Sequence, residues 1–198
     1  MLAGRLVVFP TDTVYGLGAR PDDEHAIARI FEAKGRDRSV ALPVLVSTSE
    51  VARSVARLDE RFDRLVRTNW PGALTLVLPR TEATAAWQLG GDESTVAVRV
   101  PAHPLALELL ARTGPIAVTS ANRSGEPPCT TCEGLRATFG DLVDTYLCDE
   151  APLDGAASTV IDLAHGAPTV LRRGSLTAGE IERALPPGEP LLDSPPSP

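Results

Sequence analysis

The chain has 198 residues, 43% hydrophobic and 23% charged, which is enough for one domain with a real core. No apolar run approaches the ~20 residues that a bilayer span needs. A formal net charge of −7 and an aromatic content of 4% argue against broad electrostatic attraction to nucleic acid and against stacking platforms for single strands. Cys129, Cys132 and Cys148 are an odd number and do not suggest a disulfide framework. The N-terminus lacks the charged start and apolar core of a signal peptide, so the cytoplasm is the expected compartment.

Leu6 to Phe9 is an apolar run that reads as a buried strand. Pro10 ends it, because proline has no N–H for the ladder. Thr11, Asp12, Thr13 and Tyr15 then crowd three hydroxyls and a carboxylate before Gly16 and Gly18, which permit unusual backbone angles. Polar strand ends of this kind either bind ligands or close their own turn. A helix is expected from Pro21-Asp22-Asp23 to Lys34-Gly35, with Ala26, Ile27, Ile30 and Phe31 on its buried face.

Leu42 to Val46 reads as a strand. Ser47 and Thr48 cap a helical region that Asp59 restarts and that Trp70-Pro71-Gly72 stops. Ala73 to Leu78 is the next strand, followed by a loop from Pro79 to Asp92. Between Thr95 and Val100, alternation puts Val96, Val98 and Val100 on one face and Thr95, Ala97 and Arg99 on the other. Pro104 opens a helix that Gly114-Pro115 closes. Ile116 to Thr119 is a strand that runs into Ser120-Ala121-Asn122. Thr130 and Glu133 have capping-box spacing for a helix ending at Gly140. Strands follow at Thr145 to Cys148, Thr159 to Leu163 and Thr169 to Arg172, and Thr177 with Glu180 repeats the capping box. The pattern gives an α/β fold of one domain, residues 1–185. A Pro-rich tail expected to be disordered occupies residues 186–198.

Lys34-Gly35-Arg36 offers a point charge and a guanidinium fork to a polyphosphate, or simply caps a helix. Arg99 shares its strand face with two small residues and aims at a carboxylate or phosphate, or lies outward. Gly16 and Gly18 do not make a dinucleotide fingerprint, since Pro21 stands where a third glycine should be. Cys129 and Cys132, with Cys148 and a distant His165, would make a poor zinc set; small thiols at a helix start are the better reading. No Gly-x-Ser-x-Gly elbow is present.

Taken together, Pro10 to Ala19, Lys34-Gly35-Arg36, Trp70 to Thr75, Val96 to Pro101, Ser120-Ala121-Asn122, Ser158-Thr159-Val160 and Leu171-Arg172-x-Gly174 resemble the YrdC-type threonylcarbamoyl-AMP synthases, from Arg5 to about Leu185 and in order. The resemblance implies a twisted mixed sheet flanked by helices around a cationic cavity. It also implies condensation of L-threonine, bicarbonate and ATP to threonylcarbamoyl-AMP and pyrophosphate. Mg²⁺ accompanies the ATP. The product feeds a separate complex that transfers the group to tRNA; the net charge gives no sign of direct tRNA binding. By position, Thr13, Arg99, Ser120 and Ser158 fall where the family contacts threonine. Lys34, Arg36, Thr95, Asn122, Thr130 and Arg172 fall where it contacts ATP, and Thr11 and Tyr15 shape the pocket. No residue is identified as the general base. Asp37, Ala41 and Leu45 depart from the family pattern. The alternatives are a related carbamoyl-transfer enzyme of the same fold and an RNA-binding module without catalysis.

Overall fold

The computed structural model describes residues 4–149, 153 and 156–193. Its first strand, β1 (Val7–Phe9), pairs antiparallel with β2 (Gly16–Ala19) across the Pro10 turn. Helix α1 (Glu24–Lys34) starts where the Asp23 carboxylate accepts the Ala26 N–H. It ends where Gly35 adopts a left-handed φ of 64° that residues with a Cβ resist. After β3 (Val44–Leu45), Thr48 caps α2 (Ser49–Val55) and Asp59 caps α3 (Glu60–Asn69), each through its side-chain oxygen. The Trp70–Pro71 peptide bond is cis.

Then come β4 (Leu74–Pro79), β5 (Thr95–Arg99), α4 (Pro104–Thr113) and β6 (Ile116–Ser120). Helix α5 (Cys132–Phe139) and the strands β7 (Thr145–Tyr146), β8 (Thr159–Asp162) and β9 (Thr169–Arg172) lead to α6 (Ala178–Ala184), whose capping box is complete, and to β10 (Leu192–Asp193). The strands form one mixed sheet in the order β10-β9-β8-β4-β5-β3-β6-β2-β1-β7.

Helix α4 packs Ala106 and Leu110 against Val7, Phe9, Leu45, Ile116 and Val118 on one face of the sheet. Apolar residues of the other five helices join the larger core, where Val96, Val98 and Val100 also lie. The alternation along β5 is therefore real: its valines face the core and Arg99 faces the other way, into the site. Among the described residues no helix is long and apolar enough to cross a membrane.

Three expectations need correction. The cap of α5 is Thr131, not Thr130: its hydroxyl accepts the Gly134 N–H, so the helix begins one residue later than the capping-box spacing implied. Cys132 and Cys148 form a disulfide, with Cys129 free and half-buried; the fold brings residues 16 positions apart to a Cα separation of 5.7 Å, which an odd cysteine count could not reveal. The expected tail does not leave the fold at Pro186. Leu192 and Asp193 pair in parallel with Thr169 and Val170, and the Leu192 N–H donates to the Pro168 carbonyl. Residues 194–198 lie outside the described residues.

Candidate active site

Antiparallel pairing of β2 with β6 sets the site, because it places the β1–β2 turn beside the end of β6. The approach is close. A Cβ on Gly16 would stand 2.6 Å from Val118 Cγ2, and one on Gly18 would stand 2.7 Å from Ile116 Cγ2. Neither glycine has a positive φ, so these residues supply space rather than the unusual backbone angles the sequence suggested. Within the turn, Thr11 Oγ1 donates to the Val14 carbonyl and accepts the Thr13 and Val14 N–H groups. The turn is thus self-satisfied, and this frees Thr13 to face inward.

Arg99 is 5% exposed. It reaches from the end of β5 to three segments. Nε donates to the Gly72 carbonyl at 2.8 Å, Nη1 to Thr13 Oγ1 at 2.9 Å, and Nη2 to Asp12 Oδ1 at 2.5 Å. Burial lowers its pKa and Asp12 pulls it back up, leaving it charged. Asp12 Oδ1 also accepts the Ala102 N–H at 2.9 Å.

Two further guanidiniums face the same space. Arg36 is braced by the carbonyls of Val40 and Ala41, and Thr119 Oγ1 lies 3.5 Å from its Nη1. Arg172, at the end of β9, donates to the Ser158 carbonyl and hydroxyl, and that hydroxyl lies 2.8 Å from Thr75 Oγ1. Gly174 makes this arrangement possible: a Cβ there would lie 2.3 Å from the Ser158 carbonyl carbon.

Together these groups line a cavity of about 170 Å³. Of the residues expected from sequence, the structure brings Thr11, Thr13, Arg36, Arg99, Ser120, Ser158 and Arg172 to its wall. Five others are not in that lining. Lys34 lies beneath it, 3% exposed, with its ammonium 2.7 Å from the Ser120 carbonyl, 3.3 Å from Ser120 Oγ, and 2.9 Å from both the Asn122 carbonyl and Asn122 Oδ1. These contacts tie the end of α1 to the turn that presents Ser120. Asn122 is buried as the other half of that clamp, and its amide donates to the Arg123 and Glu126 carbonyls. Tyr15 is in the core, its hydroxyl accepting the Asp149 N–H. Thr95 closes a turn on the Asp92 carbonyl, four residues up the strand from Arg99. Thr130 stands just before the α5 cap, half-buried.

Thr75, Thr119 and the carboxylate of Asp12 were missed as site residues. Asp12 was visible as the charge beside Thr13, and Thr75 lay at the end of the Trp70 to Thr75 motif without a role assigned to it; Thr119 sits in a strand that read as an apolar run. Leu45, one of the departures from the family pattern, lines the wall, and Ala41, another, gives its carbonyl to Arg36.

The family model Sua5/YciO/YrdC, described as telomere recombination, matches residues 1–174. A Mycobacterium tuberculosis protein provisionally named as a threonylcarbamoyl-AMP synthase is 44% identical over 185 residues, covering 92% of this chain and 84% of that protein. The threonylcarbamoyl-AMP synthase of Chromohalobacter salexigens is 38% identical over 167 residues, covering 82% of this chain and 88% of that one. The structure of Sua5 from Pyrococcus abyssi complexed with L-threonine superposes with a TM-score of 0.85 at 40% identity, covering 97% of this chain but 56% of that one.

Two expectations follow from the packing. Gly174→Ala forces backbone apart behind Ser158 and Arg172, so differential scanning calorimetry should show a loss of about 1–3 kcal/mol, the usual range for overpacking. Burial, with Arg36 nearby, pushes the Lys34 ammonium down to about 8 from 10.5. Between those pH values the unfolded chain still holds a proton that the folded one has released, so Lys34 makes stability rise with pH there. Urea titrations should show wild-type stability, relative to Lys34→Met, climbing from about pH 8 to 10.5. A flat difference would mean that Lys34 titrates normally.

Proposed function

Because the chain belongs to the Sua5/YciO/YrdC family, we infer that it is a threonylcarbamoyl-AMP synthase, an enzyme that joins L-threonine, bicarbonate and ATP. The observation that carries this reading is that one cavity is walled by Arg36, Arg99 and Arg172 together with the hydroxyls of Thr13, Ser120 and Ser158.

The two ends of the cavity suit different anions. Arg99 uses three of its five N–H groups within the protein, which leaves one on each terminal nitrogen to hold the threonine carboxylate. Thr13, Ser120 and Ser158 surround the same amino acid. Arg36 and Arg172 take the polyphosphate. At about 170 Å³ the cavity is smaller than the ~300–1,000 Å³ usual for ligand pockets, so it accepts the amino acid and the reacting phosphate while the adenosine lies along the rim. Lys34 and Asn122 serve nucleotide binding indirectly, by fixing the Ser120 turn. Thr95 and Thr130 are left for the nucleoside outside the cavity.

Threonine's amine adds to bicarbonate with loss of water, giving a carbamate. A carbamate oxygen then attacks the α-phosphorus as its bond to the pyrophosphate oxygen breaks. The guanidiniums stabilise charge on the departing pyrophosphate. The walls of Pro43, Leu45 and Val118 keep water from the labile carbamate. Positioning supplies the remainder, and no side chain is assigned as general base. Among the described residues no three His, Cys, Asp or Glu side chains gather to hold a metal. Mg²⁺ would enter with the nucleotide as MgATP, on the phosphates it prefers. The product passes to the complex that modifies tRNA.

Mass spectrometry after mixing the protein with MgATP, threonine and bicarbonate should detect threonylcarbamoyl-AMP. In the same assay Arg99→Ala should raise the threonine KM by about tenfold or more, the loss expected for a charged hydrogen-bonding partner, with a smaller change in the ATP KM. Salt-sensitive RNA affinity without nucleotide turnover would replace this reading with a binding module.

A further inference from the structure

The cavity presents three guanidiniums to a polyphosphate and to an amino-acid carboxylate, so it needs a means of keeping the polyphosphate from the amino-acid corner. Charge alone would favour the wrong occupant, because a polyphosphate carries several negative charges and a carboxylate one. The three arginines are not equivalent in this respect. Among the described residues, Arg36 is held by carbonyls and a hydroxyl, and Arg172 by the carbonyl and hydroxyl of Ser158; neither has a carboxylate partner. Arg99 alone of the three is paired with one, the Asp12 carboxylate, at 2.5 Å.

Asp12 cannot easily turn away. Its Oδ1 takes both the Arg99 Nη2 proton and the Ala102 N–H, and its side chain is only 16% exposed. Arg99 is fixed in turn by the Gly72 carbonyl and Thr13. The result is a gradient across one small cavity, nearly neutral at the Arg99 end and doubly positive at the Arg36–Arg172 end.

We propose that Asp12 is a specificity-determining residue that reserves the Arg99 corner for a singly charged carboxylate and repels phosphate from it. A carboxylate can still use the two free N–H groups of Arg99. A phosphate brought to the same place sets its negative charges beside the Asp12 carboxylate at the 5%-exposed Arg99, where like charges repel. Asp12 touches no substrate in this account and acts through Arg99.

The proposal rests on the assignment of the Arg99 corner to the amino acid, and its test separates the two. Tripolyphosphate is the probe. In wild type it should bind with one equivalent by titration calorimetry and should inhibit pyrophosphate release without competing with threonine. In Asp12→Asn a second equivalent should bind, inhibition should become competitive with threonine, and the threonine KM in the presence of tripolyphosphate should rise at least tenfold. Asp12→Glu, which restores the charge, should return the wild-type pattern. An Asp12→Asn protein that folds and binds tripolyphosphate as wild type does overturns the proposal, as does competition with threonine in wild type itself. The latter measurement decides the matter if Asp12→Asn fails to fold. If wild type forms no threonylcarbamoyl-AMP, the functional reading falls, while the calorimetric counts still judge the role of Asp12.

Discussion

The guanidinium of Arg99 is the tie on which the site depends. It joins the β1–β2 turn through Asp12 and Thr13, the turn after α3 through the Gly72 carbonyl, and its own strand, β5. Thr13 and Arg99 are 86 residues apart in sequence, so this contact depends on the strand pairing that brings β5 and the β1–β2 turn together. Burying a cation costs several kcal/mol unless good geometry repays it. Here one carboxylate, one hydroxyl and one carbonyl share the guanidinium, and two of its N–H groups have no partner among the described residues.

Lys34 illustrates the opposite use of a cation. Its position after a helix, beside a glycine and an arginine, suggests phosphate binding, yet its ammonium is spent on the Ser120 and Asn122 oxygens. The same contacts fasten the Ser120-Ala121-Asn122 turn to the end of α1, and Asn122 extends the clamp to Arg123 and Glu126. One charged residue therefore builds the wall while its neighbour Arg36, two positions on, faces the cavity. Helical geometry decides between them: Lys34 ends α1 with its side chain directed into the fold, whereas Arg36 lies beyond the left-handed Gly35.

Much of the local architecture was legible because its causes are local. Asp23, Thr48, Asp59 and Thr177 cap the helices whose starts they suggested, since a side-chain oxygen needs only the next few N–H groups. The α5 cap moved by one residue because Thr130 and Thr131 offer the same hydroxyl, and the choice falls to packing. The disulfide and the pairing of β10 were illegible for another reason: both join segments whose proximity depends on the fold of everything between them.

The amino-acid sequence determined the polar strand ends. Its family resemblance determined the class of molecule and named the three arginines of the cavity wall with the hydroxyls of Thr11, Thr13, Ser120 and Ser158, because each motif carries its own residue types. The tertiary structure alone decided which of those residues face one another. It buried Lys34, Asn122 and Tyr15 behind the lining, left Thr95 and Thr130 outside it and added Thr75 and Thr119. It also paired Asp12 with Arg99. The reason is that charge and hydrogen-bonding capacity belong to a residue, whereas the partner that consumes them is chosen by a sheet whose neighbouring strands are distant in sequence.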